Sequence, residues 1–225
     1  METITKPGIS EIADRIVDAI MEHRLPPGIK LAEEKLASAF GVSRTKIRQA
    51  LTRLAKDGLV KLSANRGAFV ASPTVQEALD LFAIRRLLEP EIIRNITARA
   101  GKPEIKRLRD HIALEAGARE RKDRRAIIKL SGEFHMLLAE VSGNSFVDKI
   151  MSELCPLTCL IIALYDSPQT PACPEDEHLL IVDALEVKDT EKAITLMLHH
   201  LNHVEQALNL GGHSKPEIDW DRMFG

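Results

Sequence analysis

The stretch FGVSRTKIRQALTRLAKDGLVKLSANRGAFV, residues 40–70, decides the fold. It opens on a turn at Gly41 and Val42, and Ser43 follows as a helix N-cap whose hydroxyl can accept a free backbone N–H of the first turn. From there the pattern is helical to about Asp57, with Ile47, Ala50, Leu51 and Leu54 at three- and four-residue steps forming one apolar face. Arg44, Lys46, Arg48, Arg53 and Lys56 occupy most of the remaining surface. Residues 43–66 carry seven Lys or Arg against a single acid, Asp57, a formal charge of +6. That charge is what phosphate contacts and counterion release require. Arg44 and Arg48 lie four apart on one face near the helix N-terminus, where a guanidinium in a major groove can pair bidentately with guanine O6 and N7. After Asp57-Gly58, LVKL and AFVA read as two short strands around SANRG; Gly67 permits the turn and Arg66 can reach a minor groove or a phosphate. A basic helix alone is usually a solvated face, and a lone hairpin means little. Their order and spacing together point to duplex DNA.

The preceding segment supplies packing partners. Ser10 is placed to cap a helix striped with Ile12, Ile16, Val17 and Ile20, which Leu25-Pro-Pro-Gly28 closes. A shorter helix, Glu33 to Phe40, presents Leu36, Ala37 and Phe40. Three helices and a wing make a winged helix-turn-helix. On these residues, from Pro27-Gly28 through LAEEKLASAFGVSRTKIRQALTRLAKDGLV to NRGAFV, the chain resembles the N-terminal domain of GntR-type bacterial transcription regulators over roughly residues 8–71. The resemblance implies that Arg44, Thr45, Arg48 and the wing tip at Arg66 and Gly67 meet DNA, as a homodimer on a palindromic operator. With the cap and the basic face, the candidate DNA-contacting set is Ser43, Arg44, Thr45, Lys46, Arg48, Arg66 and Gly67. Many relatives carry Pro where this chain has Lys46.

At 225 residues the chain can form two modest domains, each with its own core. Residues 1–72 hold twelve Lys or Arg and eight Asp or Glu, a formal +4, whereas the whole chain is −2, so the rest is acidic. No apolar run approaches the ~20 residues of a membrane span; in the greasiest, Leu154 to Leu164, two cysteines and Pro156 intervene. With no signal-peptide pattern at the start, a cytoplasmic protein is expected. Cys155, Cys159 and Cys173 have neither CxxC nor regular spacing and read as reduced, mostly buried side chains.

The acidic part is expected to be all-helical, so the whole chain is mainly α. Thr74 and Glu77 have capping-box spacing, placing a helix from there to Arg99 and making residues 71–74 a linker. Further starts fall at Pro103, Asp123, Asn144, Pro174 and Asp189, with stops or kinks at Gly101, Gly143, Pro156, the SPQTPACP loop and Gly211-Gly212. The expected division is a winged helix-turn-helix in 1–72, an antiparallel helical bundle for effector binding and dimerisation in 73–212, and a tail, 213–225, with Trp220 and Phe224.

His135, His178 and His200 each fall on the apolar stripe of a different helix. The first shares its face with Ile128, Ser131, Leu138 and Ser142, the second with Ile181, Val182 and Leu185, the third with Ala193, Met197, Val204 and Ala207. One such histidine is usually a hydrogen-bonded core residue. Three facing imidazoles suit a divalent metal with an open coordination position, zinc or nickel by ligand type. His199 and His203 lie off the stripe and read as surface residues. Through FHMLLAEVSGN from Phe134, EHLLIVDAL from Glu177 and LMLHHL ending at Leu201, this part resembles the FCD ligand-binding domain of the FadR subgroup of GntR regulators. The resemblance implies metal ligation by His135, His178 and His200. It also implies a fourth ligand, Asp, where this chain has Ser131; Glu133, two residues from His135, points to nearly the opposite face.

Arg85 shares a stripe with Ala78, Leu81, Leu88 and Ile92, which directs its guanidinium inward. Either it pairs with Glu89 one turn on, or it clamps a small carboxylate effector, as the FCD resemblance favours, with Ser131 beside the site. Two other readings stay open: a three-histidine metal-dependent hydrolase, against which the sequence places no acid or Ser–base pair beside the histidines, and a metal-stabilised helical scaffold without an effector.

Overall fold

The computed structural model describes residues 6–165 and 176–210. The N-terminal part consists of α1 (Ile9–Met21), β1 (Lys30–Leu31), α2 (Glu33–Phe40), α3 (Arg44–Lys56), β2 (Val60–Ser63) and β3 (Gly67–Val70). Ser43 caps α3, its side chain accepting from the Lys46 N–H at 3.3 Å. Gly41, left-handed with φ +64°, ends α2 and turns the chain into that cap. Ile12, Ile16 and Ile20 of α1 meet Ile47, Leu51 and Leu54 of α3 over Val60, Ala68 and Val70. The wing is a three-stranded antiparallel sheet in the order β1-β3-β2, with Leu31 opposite Ala68 and Lys61 opposite Phe69. Strand β1 is two residues long and has no alternation to read, so the expected two-stranded wing gains a strand.

Ser10 is not the cap of α1. The helix begins two residues after Pro7, with Gly8 at the N-cap position, and the Ser10 hydroxyl accepts from Arg53 Nη1 at 2.9 Å. Its end also comes early: His23, at φ +54°, breaks the helix before Pro26-Pro27 is reached.

Residues 71–74 belong to no helix or strand. The next element, α4 (Val75–Arg99), starts at the expected capping box: Thr74 accepts from the Glu77 N–H while Glu77 Oε2 accepts from the Thr74 N–H at 2.7 Å. Then follow α5 (Lys102–Glu120), α6 (Arg124–Val141), α7 (Ser145–Tyr165), α8 (Glu177–Glu186) and α9 (Thr190–Ala207). Asp123 and Asp189 cap α6 and α9 through their side chains. Pro156 stops nothing, since α7 runs through it. A proline inside a helix costs about 3 kcal/mol. Burying Met151, Cys155, Cys159, Leu160 and Ile161 on that helix offsets it at ~1.5–3 kcal/mol per large apolar side chain. The SPQTPACP loop, the Pro174 start, Cys173, Gly211-Gly212, Trp220 and Phe224 lie outside the described residues.

Ile92, Ile93, Phe134, Leu138, Met151, Ile181, Leu185, Met197 and Leu201 form the main core of the helical part. The two parts share packing: Leu160 of α7 enters the N-terminal core, and Met21 of α1 joins Phe82, Ile128 and Cys159. Lys129 of α6 pairs with Asp18 at 3.1 Å and Glu22 at 2.9 Å on α1, and His23 Nε2 meets the Cys159 carbonyl at 3.0 Å. Among the described residues, no helix is long and apolar enough to cross a membrane.

Candidate metal centre and nucleic-acid face

The stripes that carry the three histidines are buried as read, and the helices bring the imidazoles together. His135 of α6, His178 of α8 and His200 of α9 lie in the interior of the bundle. Their Nε2 atoms converge: His135 to His200 is 3.2 Å and His178 to His200 is 3.2 Å. Ligands of a tetrahedral metal with bonds of ~2.0 Å sit about 3.3 Å apart, so the spacing fits one ion. Phe134 stacks on the His178 ring, centroids 4.1 Å apart, and closes one side with an apolar wall.

Each outward nitrogen is held by a glutamate. His135 Nδ1 is 2.7 Å from Glu89 Oε2, His178 Nδ1 is 2.9 Å from Glu115 Oε1, and His200 Nδ1 is 2.8 Å from Glu177 Oε2. A carboxylate there accepts the Nδ1–H and fixes the tautomer, so the Nε2 lone pairs all point at one spot. Facing lone pairs have no donor among themselves, whereas a cation satisfies all three. Burial, then the positive charge of Arg85, holds His135 well below the usual imidazole range. Burial is also the main reason that His178 is pulled to about 3 and His200 to about 4. Burial thus favours the neutral imidazole, the form that ligates. Burial pushes Glu115 up to about 7.

Glu89 also receives Arg85 Nε at 2.6 Å, joining Arg85, Glu89 and His135 into one chain. The structural ion pair expected for Arg85 is thus present. It does not exhaust the guanidinium: Nη1 reaches Thr158 Oγ1 at 3.3 Å, and Nη2 has no partner. Among the described residues, Nη2 is the one buried side-chain nitrogen or oxygen without a hydrogen bond. An orphan of this kind on a charged group 3 % exposed is costly unless something else meets it. Ser131 sits half-buried one turn before His135, while Glu133 turns toward Lys129 at 3.7 Å. The reading that no acid stands beside the histidines is overturned by the three glutamates, which come from α4, α5 and the start of α8. Only Glu177, adjacent to His178, carried any sequence signal. All three sit on the Nδ1 side, away from the convergence point, and so are placed to orient imidazoles rather than to act as a base there.

On α3, Ser43, Arg44, Thr45 and Arg48 are exposed, as are Arg66 and Gly67 at the wing tip. Lys46 is partly buried and its ammonium donates to the Pro7 carbonyl at 3.0 Å. Glu33, at the start of α2, takes both hydrogen bonds of the Arg48 fork, 3.1 and 2.8 Å, with Arg44 3.9 Å away. The hydrogen bonds from Arg48 hold Glu33 below the usual carboxylate range. This acid was not foreseen as a partner of the basic face. Arg66 lies over the Phe69 ring at 5.7 Å, and Gly67, at φ +97°, makes the turn.

Residues 9–70 match the model of the gntR family of bacterial regulatory proteins, and residues 80–203 match that of the FCD domain. The chain is 29% identical over 191 residues to the Nta operon transcriptional regulator of Aminobacter aminovorans, covering 84% of this chain and 90% of that one. It is 23% identical over 205 residues to the HTH-type transcriptional repressor RspR of Escherichia coli K12, covering 91% and 90%. Among solved structures, a putative transcriptional regulator GntR from Rhodococcus sp. RHA1 superposes with a TM-score of 0.76 at 25% identity, covering 88% of this chain and 95% of that one. These relatives are transcription regulators rather than enzymes. The chain belongs to the GntR family of bacterial DNA-binding transcription regulators, in the FadR-like group that carries a C-terminal FCD domain.

Proposed function

We propose that this regulator binds a palindromic operator as a cytoplasmic homodimer and that a small organic acid, held beside a divalent metal in the bundle, changes its operator affinity. In this reading residues 1–72 are the DNA-binding domain, 73–212 the effector and dimerisation domain, and 213–225 a tail. Ser43, Arg44, Thr45, Lys46, Arg48, Arg66 and Gly67 meet DNA, with Arg44 and Arg48 reading base edges and Lys46 positioning the start of α3 through Pro7.

His135, His178 and His200 hold the metal, zinc or nickel, which supplies a Lewis-acidic position for an effector oxygen. Arg85 supplies the second anchor through its Nη2, and Ser131, one turn before His135, lines the site at the position where the FCD resemblance implies an Asp. The observation that carries this is the donor set: His200 Nε2 lies 3.2 Å from the Nε2 atoms of both His135 and His178, each imidazole is backed by a carboxylate, and beside them is a buried guanidinium with one nitrogen unmet among the described residues.

The test is metal analysis of tag-free protein followed by calorimetry against sugar acids, hydroxy acids and dicarboxylates. Metal-dependent binding of at least one acid, lost in Arg85→Lys, is expected. Metal binding with no acid bound across a broad panel would leave only a metal-stabilised scaffold.

A further inference from the structure

We infer that Glu177, His199 and His203 form a second, solvent-facing divalent-metal site, coupled to the buried histidines through the Glu177 carboxylate. His199 and His203 stand four apart on α9, so both project from one face, and Glu177 at the start of α8 meets them. One donor atom from each of the three lies within 4.8 Å of the others. Glu177 Oε1 is 2.8 Å from His203 Nδ1 and 3.5 Å from His199 Nδ1. These separations bracket the ~3.3 Å between neighbouring ligands of a tetrahedral ion with bonds of about 2.0 Å. The His203 contact is a hydrogen bond, while the His199 ring nitrogen faces the same oxygen at 3.5 Å, long for a hydrogen bond. An ion between the three meets all of them. Two imidazoles and a carboxylate suit zinc or nickel, and the remaining positions open to water, since the His199 side chain is 71% exposed and that of His203 41%.

Glu177 makes the site more than a surface chelate. While Oε1 faces the outer pair, Oε2 accepts from His200 Nδ1 at 2.8 Å, and the Glu177 side chain is only 15% exposed. The same carboxylate thereby ligates the outer ion and orients a ligand of the inner one. An ion outside fixes Glu177 and, through it, the His200 ring. Losing such an orienting partner costs about 10–100-fold in metal affinity.

Tag-free protein is stripped with chelator, dialysed against Zn²⁺ and measured for zinc per protomer by mass spectrometry. Wild type is expected to hold two equivalents and His199→Ala/His203→Ala one, with circular dichroism confirming the fold of this surface variant. Glu177→Gln is expected to lose the outer ion and to weaken the inner one by about 10–100-fold. Wild type holding a single equivalent that the double variant loses would keep the outer site and remove the buried one. Equal stoichiometry in wild type and the double variant overturns the outer site.

Discussion

Arg85 concentrates the chemistry of the bundle in one side chain. Its Nε is committed to Glu89 and Nη1 to Thr158, while Nη2 meets no hydrogen-bond partner among the described residues. Removing the side chain outright would strand Glu89 in the interior, and breaking a buried pair costs about 3–5 kcal/mol, so Arg85→Ala confounds folding with binding. Arg85→Lys keeps the charge beside Glu89 but loses the fork. It is expected to weaken effector binding ten-fold or more by calorimetry while DNA affinity is retained. On the DNA face, Arg48 is held by Glu33, and in the proposed reading a base edge would take the place of that carboxylate. Arg48→Ala is expected to weaken operator binding about 10–100-fold in a gel-shift titration, leaving affinity for random DNA nearly unchanged. An unchanged footprint and affinity would refute the base-reading role. The three histidines were legible because each falls on an apolar stripe, which any single helix reveals. Their glutamates were not, since Glu89 and His135 lie 46 residues apart and Glu115 and His178 63 apart, and only tertiary packing joins them.

Helix α6 is one of the two helices, with α7, through which the site and the DNA-binding part touch. It carries His135 inward, Lys129 toward Asp18 and Glu22 of α1, and Gly132 between them. A Cβ at Gly132 would lie 3.0 Å from Cys159 Sγ and 3.0 Å from Met21 Cε, so the glycine lets three helices approach. Gly132→Leu is therefore expected to destabilise by about 1–3 kcal/mol through overpacking and to loosen α1 from the bundle. Thermal melts would show the first effect and a weaker response of operator affinity to effector the second. A variant with wild-type stability and response would show the contact to be slack. Local chemistry made most elements readable: Ser43, Thr74, Asp123 and Asp189 cap where their side chains predict. Two kinds of feature were not local. Strand β1 exists only because Leu31 pairs with Ala68, and α7 continues through Pro156 because both sides of the proline are buried in neighbours.

Across the whole molecule, the acidic bundle and the basic winged helix share buried residues at α1, α6 and α7, with Met21 and Leu160 packed across the junction. Clefts of about 620 and 560 Å³ flank that junction, one by Lys61, Pro73 and Asp80, the other by Asp14, Arg53 and Lys149, and none of the three histidines lines either. In the proposed reading, a ligand that favours one orientation of the winged helices would alter the spacing of two recognition helices in a dimer. Metal occupancy should register globally too. Zinc at one hundred times its Kd stabilises the fold by about 2.7 kcal/mol, so chelation is expected to lower the melting midpoint by roughly 5–10 °C. An unchanged midpoint would count against an ion on the three histidines. The central claim is that carboxylate binding in the bundle sets DNA affinity, and fluorescence anisotropy tests it most directly. Zinc-loaded protein is titrated into labelled DNA from its own promoter region, with and without the acid that calorimetry identifies. The account predicts tight, salt-sensitive binding selective over random DNA, shifted at least five-fold by the acid in wild type and unshifted in Arg85→Lys. Equal affinity for promoter and random DNA at physiological salt, or an acid that binds yet moves nothing, would contradict it.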